Sequence, residues 1–536
     1  MTAPPWPSGR LLALVLVAVV FVPLLPGLAW ALGPSLSAAV WQALLADPQW
    51  PQALRATLVS ALLGTLLAGL IAAALATRLY PSPAWQRLQQ RLPLLLAMPH
   101  AAFAIGLFFL MAPSGWLARV AAYCFSWSSP PDWVTVQDPY GLSLALALAL
   151  KESWFLLWVL VAVLGEQAVT RQMAVARSLG YGAAQTWRLI LWPQLLPRLG
   201  WPVAAAFAYG LSVVDMAVIL GPGTPPTLAV LTWHWLSDPD ARVQAQGAAA
   251  ALALLALFLS VTALAFGLWQ AQRRWRAYPD GRRRAAAQPS RFWLVPLWGI
   301  GYAVLAVLGV WSVAESWFFP ALWPDALTGD SWRAADWAPF WTTLWLALAA
   351  SLLCLPLALV WLEWGPAQFN TVLYLPLIIP TLPLVAAQYA ALLRLGLDAT
   401  PLALVWSHLL WVLPYMVLTL VGAYRAFDAR LMSSARALGN TRLQACLRVK
   451  WPLLLRPILG AWAVGFAVSV AQYLPTLFAG GGRFATVTTE AVALSAGGSR
   501  QMLAVQALLQ VALPLAAFAL ATALARARSH NRQGLR

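Results

Sequence analysis

Residues Met173 to Arg198 read MAVARSLGYGAAQTWRLILWPQLLPR, and residues Met432 to Pro457 read MSSARALGNTRLQACLRVKWPLLLRP. We call these stretches the first and second repeat; they lie 259 residues apart and are identical at ten of 26 positions. Each is a polar, basic segment between two long apolar runs. A duplication of this length predicts two equivalent halves, each presenting one loop to the same kind of partner. The identical pairs are Met173/Met432, Ala176/Ala435, Arg177/Arg436, Leu179/Leu438, Gly180/Gly439, Gln185/Gln444, Trp192/Trp451, Pro193/Pro452, Leu195/Leu454 and Leu196/Leu455.

The composition around the repeats is that of a membrane protein. Of 536 residues, 61% are hydrophobic and only 10% are charged. A soluble domain of this composition would have too little polar surface to face water. The formal net charge of +17 is dispersed through short loops rather than gathered on one face, which argues against a nucleic-acid partner. The three Cys and four His residues fall in no metal-binding or disulfide spacing, so we expect no metal and no cofactor.

Twelve apolar runs have the length that a bilayer requires of a spanning helix, about 20 residues. The first run could instead be a signal peptide, but its length and the interrupting Pro23 and Pro26 favour a retained span. The predicted fold is therefore an all-α integral membrane protein with about twelve transmembrane helices. The runs are 11–32, 54–77, 92–112, 141–165, 200–220, 246–270, 292–314, 340–362, 371–393, 402–422, 458–478 and 502–524.

These runs divide into two tandem halves of six, residues 1–285 and 286–536. The distribution of Lys and Arg predicts their orientation, because cytoplasmic loops carry an excess of both. With the N- and C-termini in the cytoplasm, most of the 34 basic residues lie on the cytoplasmic side, together with both repeats and the Arg-rich connection 271–291. Six spans return the chain to the same side, so the halves are parallel repeats related by an axis along the membrane normal.

Each repeat predicts a short helix–turn–helix lying on the cytoplasmic surface. Small residues precede Gly180 and Gly439, and Gly is suited to the left-handed cap that ends a helix. The Trp-Pro pair that follows in each repeat then changes the direction of the chain before the next span. Arg177 and Arg436 either contact acidic groups of a partner or are ordinary basic residues of a cytoplasmic loop.

At these residues the chain resembles the permease subunits of binding-protein-dependent ABC importers. The coupling loop of that family reads Glu-Ala-Ala, three further residues and Gly; here Ala174–Ala176 precedes Gly180, and Ser433–Ala435 precedes Gly439. The Glu is absent from both copies, so the ion pair that it makes with the ATPase is not expected. The resemblance implies MetI-like six-helix halves with coupling loops near 166–198 and 425–457. It also implies ATPase-coupling roles for Ala176, Arg177, Gly180, Pro193, Ala435, Arg436, Gly439 and Pro452.

The double-length layout resembles the thiamine and ferric-iron branch of the family, in which two permeases are fused into one chain. Phe207–Gly223 and Ser469–Arg483 are most similar to the permease subunit of thiamine transporters. The resemblance implies a bacterial inner-membrane protein, surrounded by lipid, that works with two ATPase subunits and an external solute-binding protein. The solute would be small; thiamine, ferric iron and other small solutes stay open, and the carboxylate of Asp215 favours a cation.

The chain itself is not expected to be an enzyme. Lys occurs only at Lys151 and Lys450, so no Gly-Lys-Ser/Thr phosphate-binding loop exists in the sequence. ATP hydrolysis is therefore expected in a partner subunit.

Polar residues inside the spans are candidates for a translocation path, because charge is costly in hydrocarbon. At an offset of 257 residues, Lys151 aligns with His408 and Asp215 aligns with Gln472. Lys151 and Glu152 could also satisfy each other or hold adjacent helices. The alternative function is an ion-coupled secondary transporter with a parallel repeat, which would use these acidic and basic residues for proton coupling. The six candidates for the path are Lys151, Glu152, Asp215, Ser407, His408 and Gln472.

Overall fold

The computed structural model describes residues 7–166, 169–274 and 295–533, which are helical along almost their whole length. Eight helices among these residues are long and apolar enough to cross a membrane, or ten if each of two bent helix pairs is counted as one span. The predicted all-α membrane fold is confirmed. The predicted boundary between residues 285 and 286, and most of the Arg-rich connection, lie outside the described residues.

We call residues 7–274 the N-terminal part. Its short connections include a 3-10 turn at Gly33–Leu36 and a π-helical turn at Trp187–Leu191. The α-helices are α1 (Pro7–Phe21), α2 (Leu24–Leu32), α3 (Ala38–Ala46), α4 (Trp50–Leu79), α5 (Pro83–Ala97), α6 (His100–Met111), α7 (Trp116–Phe125), α8 (Leu142–Glu166), α9 (Val169–Ser178), α10 (Ala183–Thr186), α11 (Trp192–Ser212), α12 (Asp215–Leu220), α13 (Leu228–Leu236) and α14 (Ala241–Arg274).

We call residues 295–533 the C-terminal part. It contains an antiparallel hairpin of β1 (Ala314–Ser316) and β2 (Ala326–Leu327), a 3-10 turn at Ala367–Phe369 and a π-helical turn at Cys446–Lys450. The α-helices are α15 (Val295–Val313), α16 (Asp330–Arg333), α17 (Ala338–Trp364), α18 (Asn370–Ile378), α19 (Thr381–Leu395), α20 (Pro401–Ala426), α21 (Ala429–Ala437), α22 (Arg442–Ala445), α23 (Trp451–Leu453), α24 (Leu455–Val470), α25 (Leu474–Gly480), α26 (Val487–Ser495) and α27 (Arg500–Gln533).

The described residues contain fewer continuous spans than the twelve predicted, because several apolar runs are broken. In the run 371–393, α18 and α19 meet at an angle of 107°. Pro380 separates them and favours an extended conformation for the residue before it; Ile379 accordingly has φ −81° and ψ 139°. An apolar run in the sequence therefore does not guarantee one straight helix. Among the described residues, the runs 92–112, 200–220 and 458–478 are also divided between separate helices.

The first helices of the two parts are exchanged. Helix α2 packs against α19 of the C-terminal part, whereas α15, which opens the C-terminal part, lies between α27 of its own part and α6 of the N-terminal part. A small residue permits each crossing: a Cβ atom on Gly27 would lie 2.2 Å from the carbonyl oxygen of Ala387, and one on Gly106 would lie 2.4 Å from a methyl carbon of Val304. Each part is therefore completed by a helix from the other.

The same hydrogen bond joins corresponding helices in the two parts. The hydroxyl of Thr57 on α4 accepts from the backbone N–H of Leu228 at 2.7 Å, and that of Thr343 on α17 accepts from Val487 at 2.9 Å. Leu228 and Val487 begin α13 and α26 and lie 259 residues apart, the same offset as the two repeats. The duplication therefore extends from the repeats into the helices that follow them.

On the side away from the repeats, a buried Arg fastens the two parts together. Arg119 on α7 is 1% exposed, and its guanidinium lies 4.7 Å from the ring of Trp317. It donates to the carbonyl groups of Phe318 and Ala321, each at 2.7 Å, and of Trp317 at 3.0 Å. The segment of the N-terminal part that contains α7 is thereby attached to the loop after β1.

The start of α8 is fixed by a buried carboxylate. Asp138 accepts hydrogen bonds from the backbone N–H groups of Leu142 and Ser143 and from the Ser143 hydroxyl. Burial by itself raises the pKa of this carboxyl group, but the hydrogen bonds outweigh burial and hold the pKa below its ordinary value. Asp138 therefore sets the position of α8, which carries Lys151 and Glu152.

Candidate coupling loops and translocation path

As far as the Trp-Pro pair, the two repeats have the same backbone: a short helix, a Gly turn, a second short helix and a π-helical turn. The first repeat then continues as α11, whereas the second bends by 82° at the break between α23 and α24. Gly180 has φ 83° and Gly439 has φ 87°, so both adopt the left-handed conformation predicted from the sequence. The N–H of Tyr181 bonds the carbonyl of Ala176 at 3.0 Å, and Gly180 N–H bonds Arg177 at 2.9 Å. This pair of bonds is a Schellman cap. The second repeat contains the same two hydrogen bonds, each 259 residues further along the chain.

Each Gly turn presents an apolar and a basic side chain to the surroundings. Leu179 is 55% exposed and Leu438 is 84% exposed, and Arg177 and Arg436 are also exposed. Ala176 and Ala435, the small residues of the family pattern, are buried instead, at 1% and 5% exposure. The Ala positions therefore support the turn from inside, while the Leu and Arg positions form its accessible edge.

Pro193 and Pro452 lie in the first turn of α11 and α23, immediately after the π-helical turns. In a regular α-helix the Pro ring would clash with the carbonyl group four residues earlier. A π-helical turn widens the backbone at this point and accommodates the ring. The Pro residues thus account for the matching irregularity in both repeats.

The second repeat is held to the end of α17 by ion pairs. The side chain of Glu363, at the end of α17, is 4% exposed. It accepts from Arg442 Nε at 2.9 Å and from Lys450 Nζ at 2.7 Å, and its backbone carbonyl accepts a further bond from Arg442. Sequence reasoning missed this anchor, because the loop after α17 carries no basic residue of its own.

The first repeat is held by aromatic rings instead. Tyr80, at the end of α4, makes edge contacts with Trp85 and with Trp187, at ring distances of 5.7 Å and 6.2 Å. Trp187 also lies 5.4 Å from Trp192, and the Tyr80 hydroxyl is 3.1 Å from that of Thr170. Two loops with the same backbone are therefore anchored by different chemistry.

A group of polar side chains lies where the two parts meet. His100 Nε2 donates to Glu152 Oε1 at 3.2 Å, and the His100 ring lies 4.5 Å from that of Tyr209. Asp215 is buried near enough to the Tyr209 hydroxyl and to His100 for electrostatic interaction with both. Two tyrosines of the C-terminal part lie within electrostatic range of this group, Tyr415 of Glu152 and Tyr209, and Tyr473 of Asp215. We call this group the polar cluster; it consists of His100, Glu152, Tyr209, Asp215, Tyr415 and Tyr473.

Three of the six predicted path residues make hydrogen bonds within the helical core. Lys151 is 3% exposed and donates to the carbonyl groups of Leu95, at 3.0 Å, and Met98. Its ammonium group thereby caps the end of α5 rather than pointing at Glu152. Ser407 and His408 are fully buried and hold α20 to neighbouring segments. Ser407 bonds the carbonyls of Leu404 and Pro475, and the His408 ring lies 2.8 Å from Ser469 Oγ and 2.9 Å from Thr476 Oγ1.

The predicted equivalence of Asp215 and Gln472 is wrong. Helix α12 begins at Asp215 and α25 begins at Leu474, so these helices keep the offset of 259 residues found in the repeats. Gln472 lies before α25, in the break that follows α24, and corresponds to Val213. Aligning the two parts at an offset of 257 residues paired two polar residues that occupy different positions along the broken helices. Asp215 therefore has an apolar counterpart in the C-terminal part.

The comparison with known proteins identifies the family. No protein-family model matches the chain. Over 526 residues it is 45% identical to the inner membrane ABC transporter permease protein YnjC of Escherichia coli strain K12, an alignment that covers 97% of each chain. The chain belongs to the ABC transporter permeases. More distantly, this permease is 20% identical over 166 residues to the spermidine/putrescine transport system permease protein PotC of Haemophilus influenzae, covering 31% of the permease and 65% of PotC.

Family membership settles the general role of the protein. As a permease subunit it resides in the inner membrane and works with ATPase and binding-protein partners, and ATP hydrolysis takes place in the ATPase subunits. It is not itself an enzyme. The ion-coupled secondary transporter considered from the sequence is not favoured, because the relatives are ABC permeases.

The Gly turns supply a direct test of the coupling roles. We expect Gly180→Val and Gly439→Val to leave the permease in the membrane but to weaken ATPase association several-fold. A β-branched residue in the left-handed conformation costs about 1–2 kcal/mol, and the turn loses its shape. Co-purification of the ATPase with each variant measures the effect. Gly460→Val, at a helical glycine whose Cβ would meet no atom within 4 Å, is the matched control. Full recovery of the ATPase with both turn variants would contradict a coupling role for these glycines.

Proposed function

We propose that this chain alone forms the translocation path of an ABC importer for a small organic cation. The observation that carries the proposal is the presence of two identical Schellman turns, at Gly180 and Gly439, in one polypeptide. An importer with two ATPase subunits needs two docking loops, and this chain supplies both. Residues 1–285 and 286–536 are then two permease halves, fused as in the thiamine and ferric-iron branch.

We assign the accessible edge of each Gly turn to the ATPase contact. Leu179 and Leu438 offer an exposed apolar side chain, and the neighbouring Arg177 and Arg436 offer a cation for an acidic group of the ATPase. Both turns then lie in the cytoplasm, and so do the chain termini. The opposite side, where Arg119 fastens the two parts, faces the external binding protein.

The polar cluster supports a cationic solute. Glu152 and Asp215 are 6% and 8% exposed, and buried carboxylates attract positive charge strongly because little water screens them. Tyrosine rings around them add the negative faces that bind alkylammonium groups. Thiamine is a cation, and so are spermidine and putrescine, which the name of PotC specifies. The proposed solute class therefore includes thiamine and polyamines.

The duplicated loop predicts the stoichiometry of the assembly. One copy of this chain is expected to bind two ATPase subunits, because each ATPase occupies one Gly turn. Native mass spectrometry of the complex, purified through a tag on the ATPase, gives the subunit ratio directly. A purified Gly439→Val complex is the control, since it should lose ATPase subunits while keeping one permease chain. Two copies of this chain per ATPase pair would refute the proposal.

A further inference from the structure

A cleft of about 390 Å³ opens between α5 of the N-terminal part and α27 of the C-terminal part. Pro93 and Leu94 of α5 form one wall. The residues of the other wall recur at the spacing of a single helical face, so they form one stripe along α27. Both walls are apolar except for the last turn of this stripe. The stripe consists of Leu515, Phe518, Ala519, Thr522, Ala523 and Arg526.

The basic end of the cleft lies at the level of lipid head groups. Helix α27 begins at Arg500, 5.4 Å from the ring of Trp311, on the same side of the molecule as Arg119. Arg526 follows 26 residues later in the same helix, a rise of about 39 Å, which is close to the thickness of a bilayer with its head groups, about 40–45 Å. The apolar part of the stripe therefore lies at the depth of acyl chains.

Helix α5 continues the basic end with two further cations. Arg87, Arg91 and Leu94 are spaced at i, i+4 and i+7, so they share one face of α5. Both of these Arg residues are exposed, and so is Arg526. The cleft is therefore apolar along its length and basic at one end. A phospholipid with an anionic head group has the complementary arrangement of chain and charge.

The duplication supplies an internal comparison. Helices α14 and α27 have the same length and begin 259 residues apart, and Gly267 of α14 stands where α27 has Arg526. A single Pro inside each helix aligns α18 with α5, and Tyr374 then stands where α5 has Arg91. The shared fold does not require a cation at either position. The positive charge at these positions is therefore a property of this one cleft.

We propose that the cleft binds one phospholipid with an anionic head group, taken from the leaflet on the side of the repeats. An acyl chain lies against Phe518 and Ala519, and the phosphate group lies near Arg91 and Arg526. The lipid contacts both parts and joins them on the side opposite to Arg119. This inference goes beyond the proposed function, because it depends neither on the solute nor on the number of ATPase subunits.

Two lipids with the same acyl chains separate head-group charge from chain binding. The complete transporter, freed of lipid in detergent, is titrated with phosphatidylglycerol or with phosphatidylcholine, and native mass spectrometry counts the lipid molecules retained. We expect the wild type to retain one phosphatidylglycerol at least about tenfold more tightly than phosphatidylcholine. Arg91→Gln and Arg526→Gln should each weaken phosphatidylglycerol binding about fivefold. Arg78→Gln, in the last turn of α4 and outside the cleft, is the matched control and should change nothing.

Ala519→Phe tests the apolar wall. Ala519 is exposed, so a ring at this position fills the cleft without disturbing the core, and it should weaken the binding of both lipids about tenfold. Unchanged lipid binding by this variant, or by both Arg variants, would overturn the proposal. So would equal affinity of the wild type for the two lipids, which holds whether or not a variant folds. Competition by glycerol phosphate, which has no acyl chain, would show a site for a soluble anion instead. Thermal unfolding of each complex tests its folding.

Discussion

Asp215→Asn should lower uptake of the transported cation by about tenfold or more, while the amount of permease in the membrane stays near the wild-type level. Asn preserves the size of the side chain and can still accept a hydrogen bond. It removes only the negative charge. Because Asp215 is 8% exposed, that charge is weakly screened, and its loss should act mainly on the solute. Uptake by whole cells, normalised to membrane abundance, gives the result.

The control for this experiment is Asp398→Asn. Asp398 is exposed in the loop between α19 and α20, so its replacement removes the same charge from a screened position. Uptake by this variant should change little. Normal uptake at normal abundance in Asp215→Asn would remove Asp215 from the path. A fall in abundance before any fall in uptake per molecule would instead assign it a structural role.

Glu363→Gln should release the second repeat from α17 and leave the first repeat in place. The substitution leaves Lys450 and Arg442 without their carboxylate; breaking a buried pair costs about 3–5 kcal/mol. Because the Arg442 side chain is 39% exposed, solvent screens its ion pair with Glu363 and lowers the free-energy cost of breaking that pair. We expect uptake to fall about tenfold. Hydrogen–deuterium exchange should show faster amide exchange in residues 432–457 only.

The different anchors of the two repeats provide a reciprocal control. Trp187→Ala removes the ring that contacts Tyr80 and Trp192, so it should loosen the first repeat and leave the second protected. Combining Glu363→Gln with Lys450→Met should recover part of the lost protection, because it also removes the unpaired cation. Equal exchange in both repeats of Glu363→Gln would show that the carboxylate does not anchor the second repeat selectively.

The sequence was most informative where structure depends on local residues. The Gly turns at Gly180 and Gly439 could be predicted because a left-handed cap depends on one residue and the short helix before it. Membrane character followed from composition, which needs no knowledge of packing. The breaks in the apolar runs were harder to place. Pro380 bends its run, whereas Pro356 lies inside the continuous helix α17, so a Pro alone does not decide the outcome.

The candidate site depends on contacts between distant segments, which one sequence does not specify. Glu363 meets partners 79 and 87 residues later, across several helices. His100 meets Glu152 from another helix, and the tyrosines that complete the polar cluster come from the C-terminal part. Sequence reasoning did not single out His100, and the one available signal was a His inside an apolar run. Asp215 was wrongly paired with Gln472 because the two residues were matched by their polar character. The starts of α12 and α25 define a different alignment of the two parts.

The exchanged first helices impose an order on the making of this protein. Helix α2 leaves the ribosome early, but the surface against which Gly27 packs is completed only when Ala387 has been synthesised. During that interval the N-terminal helices must wait in the lipid without their final neighbours, exposed to wrong partners. Because both parts belong to one polypeptide, the surface that contains Ala387 is synthesised already tethered to α2. The tether shortens the time that α2 needs to find this surface. The continuous polypeptide therefore aids assembly of the membrane helices.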